Sequence, residues 1–313
     1  NGASINVINI PFETNISSTA TGAVRDYSTW INNGTLGNGT AGTAPIWNAS
    51  GKVGGAYTFD GTDVIVGSSN ASLQLSYVYV QAWVYPLAFN TLNDIVVSRD
   101  NSTAGFRSWN LQADHQVSGI PACLNKPAFS IFLNDNSNHY ACGSTLPVNQ
   151  WTHLAATYDG AAIRLYQNGT ETAVTAISGI LNSVAGVPVR IGGSAITNDF
   201  NGTIDEIMVF NRSLSAQQIY QIYLDGNSGK HLETVVSSEL VVGNNWSVAV
   251  TPNDQQNASD GTTVLSNNVT ILADDVNQTE AATVKIDSPD PLNLSLTTLL
   301  NYSITFNLTN GSA

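Results

Sequence analysis

The sequence predicts an all-β chain folded as two β-sandwich domains, and three observations predict it. Short runs rich in Val, Ile, Tyr, Phe, Trp and Thr recur about every 8 to 15 residues, as strands of a sandwich do. Asn-Gly, Asp-Gly and Gly-Gly pairs separate them, the dipeptides that tight hairpin turns require. A length of 313 residues suits about two domains at roughly 150 residues each.

The elements follow in order. Alternating or continuous apolar runs at 78–85, 128–133, 151–158, 163–167, 187–191 and 204–210 read as strands, with Asp159-Gly160 and Asn168-Gly169 at hairpin positions. One segment departs from the period of two. From Ser215 the apolar residues Ile219, Ile222 and Tyr223 fall on one helical face. Ser215 with Gln218 fits a capping box, and Gly226 suits a left-handed stop, so a single short helix closes a first domain spanning 1–228. Strand-like runs resume at 239–242, 246–251, 268–272 and 282–286. Pro289-Asp290-Pro291 then punctuates the chain before a last alternation, Tyr302, Ile304, Phe306 and Leu308. Residues 229–313 suit a small immunoglobulin-like sandwich, although fewer than the usual seven strands are visible.

Composition places the chain outside the cell. Only 11% of its residues are charged, against about 25% in an ordinary soluble domain. Seventeen of its 35 asparagines open the triplet Asn-x-Ser/Thr: Asn15, Asn33, Asn38, Asn48, Asn70, Asn101, Asn168, Asn201, Asn211, Asn245, Asn257, Asn268, Asn277, Asn293, Asn301, Asn307 and Asn310. With Ser and Thr at roughly a fifth of residues, chance gives about seven. A glycan cannot be buried, so each acceptor is expected on the surface. A net charge of -13 with four lysines disfavours nucleic acid and anionic membranes as partners, because no basic stripe exists to release counterions. No run of 18 apolar residues is present to span a bilayer, and no basic-then-apolar leader precedes Asn1, so the sequence reads as a mature secreted segment. Cys123 and Cys142, the two cysteines, are expected to pair in such a compartment, contributing about 3 kcal/mol; two buried free thiols are the alternative.

The first domain resembles the LamG-like jelly-roll family of the concanavalin A-like lectin/glucanase type. Gly51-Lys52-Val53-Gly54-Gly55-Ala56-Tyr57-Thr58-Phe59-Asp60-Gly61 looks like its GKxGxAxxFDG segment, and Gln81-Ala82-Trp83-Val84-Tyr85-Pro86 like its xAWVxP strand. Trp151-Thr152-His153-Leu154-Ala155-Ala156-Thr157-Tyr158-Asp159-Gly160 with Leu165-Tyr166-Gln167-Asn168-Gly169 resembles its central hairpin. Phe200 to Glu206 with Phe210 to Ser215 resembles its closing strand and helix start. The resemblance covers about 200 positions. It implies a two-sheet jelly-roll, a structural calcium ion in many members, and uses in carbohydrate binding, adhesion or architecture. Asp26, Asp60 and Asp205 occupy acidic positions of the pattern, and Asn33 could add a carbonyl oxygen, so these four are the expected Ca2+ ligands. The family's usual SGNGN after the first of them is here Tyr27-Ser28-Thr29-Trp30-Ile31-Asn32-Asn33, which leaves turn-capping carboxylates as the alternative. The part after Gly229 is similar, through Trp246 to Asp254 and Ser259 to Thr262, to modules following such domains in secreted archaeal surface proteins.

Hydrolysis is not expected. Retaining glycosidases hold two carboxyls about 5 to 5.5 Å apart, whereas Asp205 and Glu206 are neighbours on a strand and should face opposite sides. The histidines His115, His139, His153 and His231 share no metal-ligand spacing. His153 is expected to be a satisfied core or sheet residue, and Trp83, Trp151 and Trp246 to be core. Residues 102–167 contain asparagines but no sequon. Within this stretch Trp109, Asp114, His115 and Tyr140 are candidates for a ligand face or protein interface, with buried sheet as the alternative. The final alternation could complete a neighbour's sheet by strand addition, or be the last strand of its own domain. The sequence therefore suggests a non-enzymatic, glycosylated subunit of a cell-surface filament or layer, which self-associates. The other reading is a calcium-dependent carbohydrate-binding or adhesin module.

Overall fold

The computed structural model describes residues 5–89, 93–101, 103, 105–116, 123–195 and 199–231, then 234–235, 242–243, 245–253, 264–265, 267–270, 282–283 and 301–309. Sequons Asn257, Asn277, Asn293 and Asn310, and the expected strand residues 239–241, 271–272 and 284–286, lie outside them.

The described residues up to 231 form the expected two-sheet sandwich. Its strands are β1 (Asn6–Ile10), β2 (Thr35–Leu36), β3 (Ile46–Asn48), β4 (Ala56–Asp60), β5 (Ile65–Val66), β6 (Val78–Pro86), β7 (Asp94–Asp100), β8 (Arg107–Asp114), β9 (Ala128–Phe132), β10 (Asn138–Cys142), β11 (Thr152–Tyr158), β12 (Ala162–Gln167), β13 (Thr170–Ala176), β14 (Arg190–Ile191) and β15 (Asn201–Phe210). One sheet has eight strands in the order β13-β12-β11-β6-β15-β4-β3, with β1 also pairing β15. The other has seven, in the order β10-β9-β8-β7-β14-β5-β2. Their facing side chains make one continuous core, including Phe59, Val80, Val84, Trp109, Leu111, Phe129, Leu165, Ile204 and Val209. Burying apolar surface of this extent is the main force holding the sheets together.

Helix α1 (Ala216–Asn227) packs on the outer face of the eight-stranded sheet. Its capping box between Ser215 and Gln218 forms as expected, satisfying the first turn. Ile219 and Ile222 join Tyr79, Ala155, Tyr166, Met208 and Phe210 in a second apolar layer. Gly226 is not the stop. It lies within the helix against Trp83, and the left-handed residue is Gly229, at φ +75°.

Beyond the helix lie β16 (Thr234–Val235), β17 (Asn245–Asn253), β18 (Val264–Leu265), β19 (Val269–Thr270), β20 (Ala282–Thr283) and β21 (Asn301–Thr309). β16 pairs β20, while β17 pairs β18, β19 and β21. β21 is the strand that could have been offered to a neighbour. Here it is antiparallel to β17 over all nine residues, from Asn301 opposite Asn253 to Thr309 opposite Asn245. β21 is thus the last strand of its own sheet, and among the described residues β17 is its single neighbour.

Candidate functional site

The jelly-roll presents two concentrations of polar groups. The first arises where β15 changes partner. Residues 201–204 pair β4 and residues 207–210 pair β1. Between them the register against β6 slips, because Asp205 opposes Trp83 but Met208 opposes Gln81. One extra residue is thus accommodated as a β-bulge, with Glu206 in the left-handed region at φ +52°. Ile204, Ile207 and Val209 all enter the main core. Asp205 and Glu206 consequently share the outer side, and the expectation that they face opposite sides fails. The bulge cancels the alternation on which that expectation rested.

Into the gap between β1 and β4 come Glu13, three residues beyond β1, and the loop Gly51 to Gly55. Asp205 Oδ2 accepts from the Lys52 and Val53 N–H groups at 2.8 and 2.9 Å, and Oδ1 from Glu206 N–H at 2.7 Å. Gly55 N–H donates to Glu13 Oε2 at 3.3 Å. Glycine is required at 54, where φ is +59° and a Cβ would stand 2.0 Å from Glu13 Oε2. His231 reaches back to this cluster, with Nδ1 3.0 Å from Glu206 Oε1 and Nε2 3.5 Å from Glu13 Oε1. All three carboxylates are buried. Burial drives the Asp205 carboxyl well above its ordinary range, and the neighbouring Glu206 and Glu13 charges add to it. For His231, burial works against the charged ring. The hydrogen-bonded Glu206 and the nearby Glu13 outweigh it and push the pKa up to about 9.

The four expected calcium ligands do not form one shell. Asp60 pairs opposite Asn201, four residues before Asp205 and therefore about 13 Å along β15. Asp26 instead secures β1: its carboxylate accepts from the N–H groups of Asn9, Ser28 and Asn32 at 2.7, 2.9 and 2.7 Å, and from Ser28 Oγ at 2.6 Å. Burial raises its pKa, and those donors oppose the rise. Asn33 Oδ1 accepts from Asp26 N–H at 2.9 Å. Asp60 caps its own turn through Thr62, which holds its pKa down. Calcium wants six to eight oxygens directed at it. These oxygens are directed at N–H and O–H donors, so the set does not fit the ion, and the turn-capping alternative describes Asp26 and Asp60.

The second concentration lies on the outer face of the seven-stranded sheet. Along β8, Trp109, Leu111 and Ala113 enter the core, so Ser108, Asn110, Gln112 and Asp114 face the other way. Trp109 is thereby removed from the ligand candidates. His115 packs edge-on against Tyr140, centroids 5.1 Å apart, and donates from Nδ1 to Gln112 Oε1 at 2.7 Å. Asp114 meets Gln116. Burial raises the Asp114 and Tyr140 pKa values and lowers that of His115. The centre is an ion pair the sequence did not announce. Arg107 Nε stands 3.0 Å from both oxygens of Asp100, and its guanidinium lies 4.0 Å over the Phe132 ring. Asn110 Nδ2 donates to Asp100 at 3.2 Å, and Ser130 Oγ donates to Asn110 Oδ1 at 2.6 Å. Arg107, Asn138 and Tyr140 are half-exposed, whereas Asn110, Gln112, His115 and Ser130 are buried behind them. The sequon-free stretch is not one face, however, since β11 and β12 belong to the other sheet.

Other expectations resolve simply. Cys123 and Cys142 form a disulfide, Cα atoms 5.2 Å apart. Of eleven sequon asparagines whose exposure is described, seven are exposed, four half-buried and none buried. Asn301 and Asn307 lie in β21. His153 is buried, hydrogen-bonded to Gln81 at 3.1 Å, and flanked by Trp83 and Tyr223. Its Nδ1 finds no partner, so it is only half-satisfied, and burial lowers its pKa to about 3. Trp83 is buried as expected, Trp151 only half-buried against Tyr85; Trp246 lies in β17.

Comparison with known proteins agrees with this architecture. The family model Laminin_G_3, described as the concanavalin A-like lectin/glucanases superfamily, matches residues 59–220. Pappalysin-1 of Mus musculus is 36% identical over 80 residues, which is 24% of this chain and 5% of that protein. Human pappalysin-1 is 28% identical over 107 residues, covering 33% of this chain and 6% of that protein. The matched region is thus about one-twentieth of either relative. Among solved structures, domain 4 of AbnA, a GH43 extracellular arabinanase from Geobacillus stearothermophilus in complex with arabinotriose, superposes with a TM-score of 0.53 at 19% identity, over 71% of this chain and 99% of that one. The binding domain of Paraclostridial Mosquitocidal Protein 1 gives 0.52 at 13% identity, over 96% and 75%. At such identities the likeness is one of fold.

Proposed function

Because the chain belongs to the concanavalin A-like lectin/glucanases superfamily, we propose that it is a non-catalytic carbohydrate-recognition module of an extracellular, N-glycosylated protein. The observation that carries this reading is the Arg107–Asp100 pair on the outer face of the seven-stranded sheet, with Asn138 and Tyr140 half-exposed beside it. Sugars are bound by planar polar groups that meet adjacent hydroxyls and by rings that cover C–H faces, and orienting groups buried behind them keep such a site rigid. Asn110 and Ser130 hold Asp100 in that way. No sequon falls on β8, β9 or β10; the sequon beside the pair is Asn101, one residue past Asp100.

Binding is favoured over hydrolysis because both oxygens of Asp205 already accept backbone donors and Glu206 is engaged by His231. A disulfide and surface sequons support an extracellular setting. The region beyond residue 231 is read as an immunoglobulin-like companion domain. The last strand, β21, pairs β17 inside the chain, so the filament role is not the reading put first.

The test is a glycan array probed with the native chain, followed by calorimetry on the hits. Arabinotriose is a useful first probe, since the arabinanase domain binds it. Arg107→Ala and Tyr140→Ala should each weaken a hit at least about tenfold, as loss of an orienting contact does. Binding unchanged in both variants, or no hit on the array, would sink the reading.

A further inference from the structure

The bulge in β15 assembles three buried carboxylates, Glu13, Asp205 and Glu206, and leaving such a group without a cation costs several kcal/mol. Family resemblance implies calcium, yet Asp205 faces amide donors and the other expected ligands lie elsewhere. The structure brings a different cation. We propose that the site's resident cation is the chain's own His231 imidazolium, which latches the segment leaving α1 onto the jelly-roll, and that a divalent ion enters only when the ring is out.

The ring bridges the carboxylates rather than merely touching one. Nδ1 meets Glu206 Oε1 at 3.0 Å and Nε2 meets Glu13 Oε1 at 3.5 Å. The contact to Glu206 is a hydrogen bond and that to Glu13 an ion-pair distance; only the doubly protonated ring presents a positive N–H to each. Ligand atoms of Glu13, Glu206 and His231 all lie within 4.8 Å of one another, so an ion shared by the carboxylates would lie against the ring nitrogens, where a doubly protonated ring has no lone pair to offer it. The wall is backbone. Gly54 and Gly51 approach so closely that a Cβ would stand 2.0 Å from Glu13 Oε2 and 2.8 Å from Asp205 Oδ2. Glu206 adopts a left-handed backbone without being glycine, a conformation costing about 1 to 3 kcal/mol that persists only where surroundings enforce it. The bulge against β6 enforces it. His231 also lies beyond the boundary expected at residue 228, so the latch ties the start of the following segment to the first domain.

The proposal is independent of the sugar face. It is tested on the whole chain with His231→Ala and His231→Gln, using nitrogen NMR of the ring, thermal melting, and calorimetric titration with calcium chloride. In the native chain both ring nitrogens should be protonated at neutral pH, and neither millimolar calcium nor EDTA should shift Tm. Both variants should melt lower, recover part of the loss in calcium, and bind calcium at least about tenfold more tightly than the native chain, since the competing occupant is gone. Two results on the native chain alone would overturn the idea, even were a variant not to fold. One is a ring protonated at a single nitrogen; the other is stoichiometric calcium binding that leaves the His231 signals unchanged.

Discussion

Gly226 and Trp83 meet where α1 crosses the eight-stranded sheet, so closely that a Cβ at 226 would stand 2.4 Å from the indole Nε1. Two effects of Gly226→Ala oppose each other. Alanine inside a helix gains about 1 kcal/mol over glycine, whereas overpacking a rigid core costs about 1 to 3 kcal/mol. The ring cannot yield, being buried and flanked by Tyr223 at 5.8 Å and His153 at 5.3 Å. The overpacking term wins, and denaturant melts should show a net loss of up to about 2 kcal/mol. A higher midpoint would mean that the helix can slide off the tryptophan.

His231 sets an alkaline limit. Its folded pKa of about 9 exceeds the unfolded value of about 6.5, so its stabilisation is complete below the latter and disappears as pH rises through the former. The charged groups facing it are Glu13 and Glu206, with Asp205 behind them. A rise of roughly 2.5 units corresponds to about 3 kcal/mol. Melting temperature should therefore fall between about pH 6.5 and 9 in the native chain, and the fall should be absent in His231→Gln.

His153 acts in the opposite direction. Burial holds its folded pKa at about 3, so between there and about 6.5 the unfolded chain binds a proton that the folded chain refuses. Stability should decline as pH falls through that window. His153→Gln, which keeps a partner for Gln81 without a titrating ring, should flatten that decline; an unchanged acid limb would show that His153 is not its cause.

Much of the fold was legible because strands announce themselves locally. The run at 78–85 became β6 (Val78–Pro86) and that at 204–210 became the end of β15 (Asn201–Phe210), since alternation and β-branched side chains are properties of neighbours in sequence. The site was less so. The spacing of Ile204, Ile207 and Val209 does contain the parity jump of a bulge, and attention to it would have placed Asp205 and Glu206 together. Glu13 and His231 carry no such signal. They meet across 218 residues of chain, through a loop, a strand and a helix end that only tertiary packing brings together. Asp26 misled for a related reason: a buried carboxylate gathered by amide donors and one gathered around a metal look alike in sequence.

The loop from Tyr27 to Asn33 carries the last prediction. Ile31 adopts φ +52°, a left-handed conformation that costs an ordinary residue about 1 to 2 kcal/mol and a β-branched one no less. It persists because its neighbours fix it: Asn32 N–H donates to Asp26 at 2.7 Å, and Asn32 Nδ2 donates to the Val7 carbonyl at 2.7 Å. The isoleucine gains little in return, being 66% exposed. Asparagine tolerates left-handed backbone far better, and Ile31→Asn creates no new sequon because residue 33 is Asn. The variant should gain about 0.5 to 1 kcal/mol in denaturant melts. A loss instead would mean that the Ile31 side chain is covered in the folded protein, and that this loop is a contact surface.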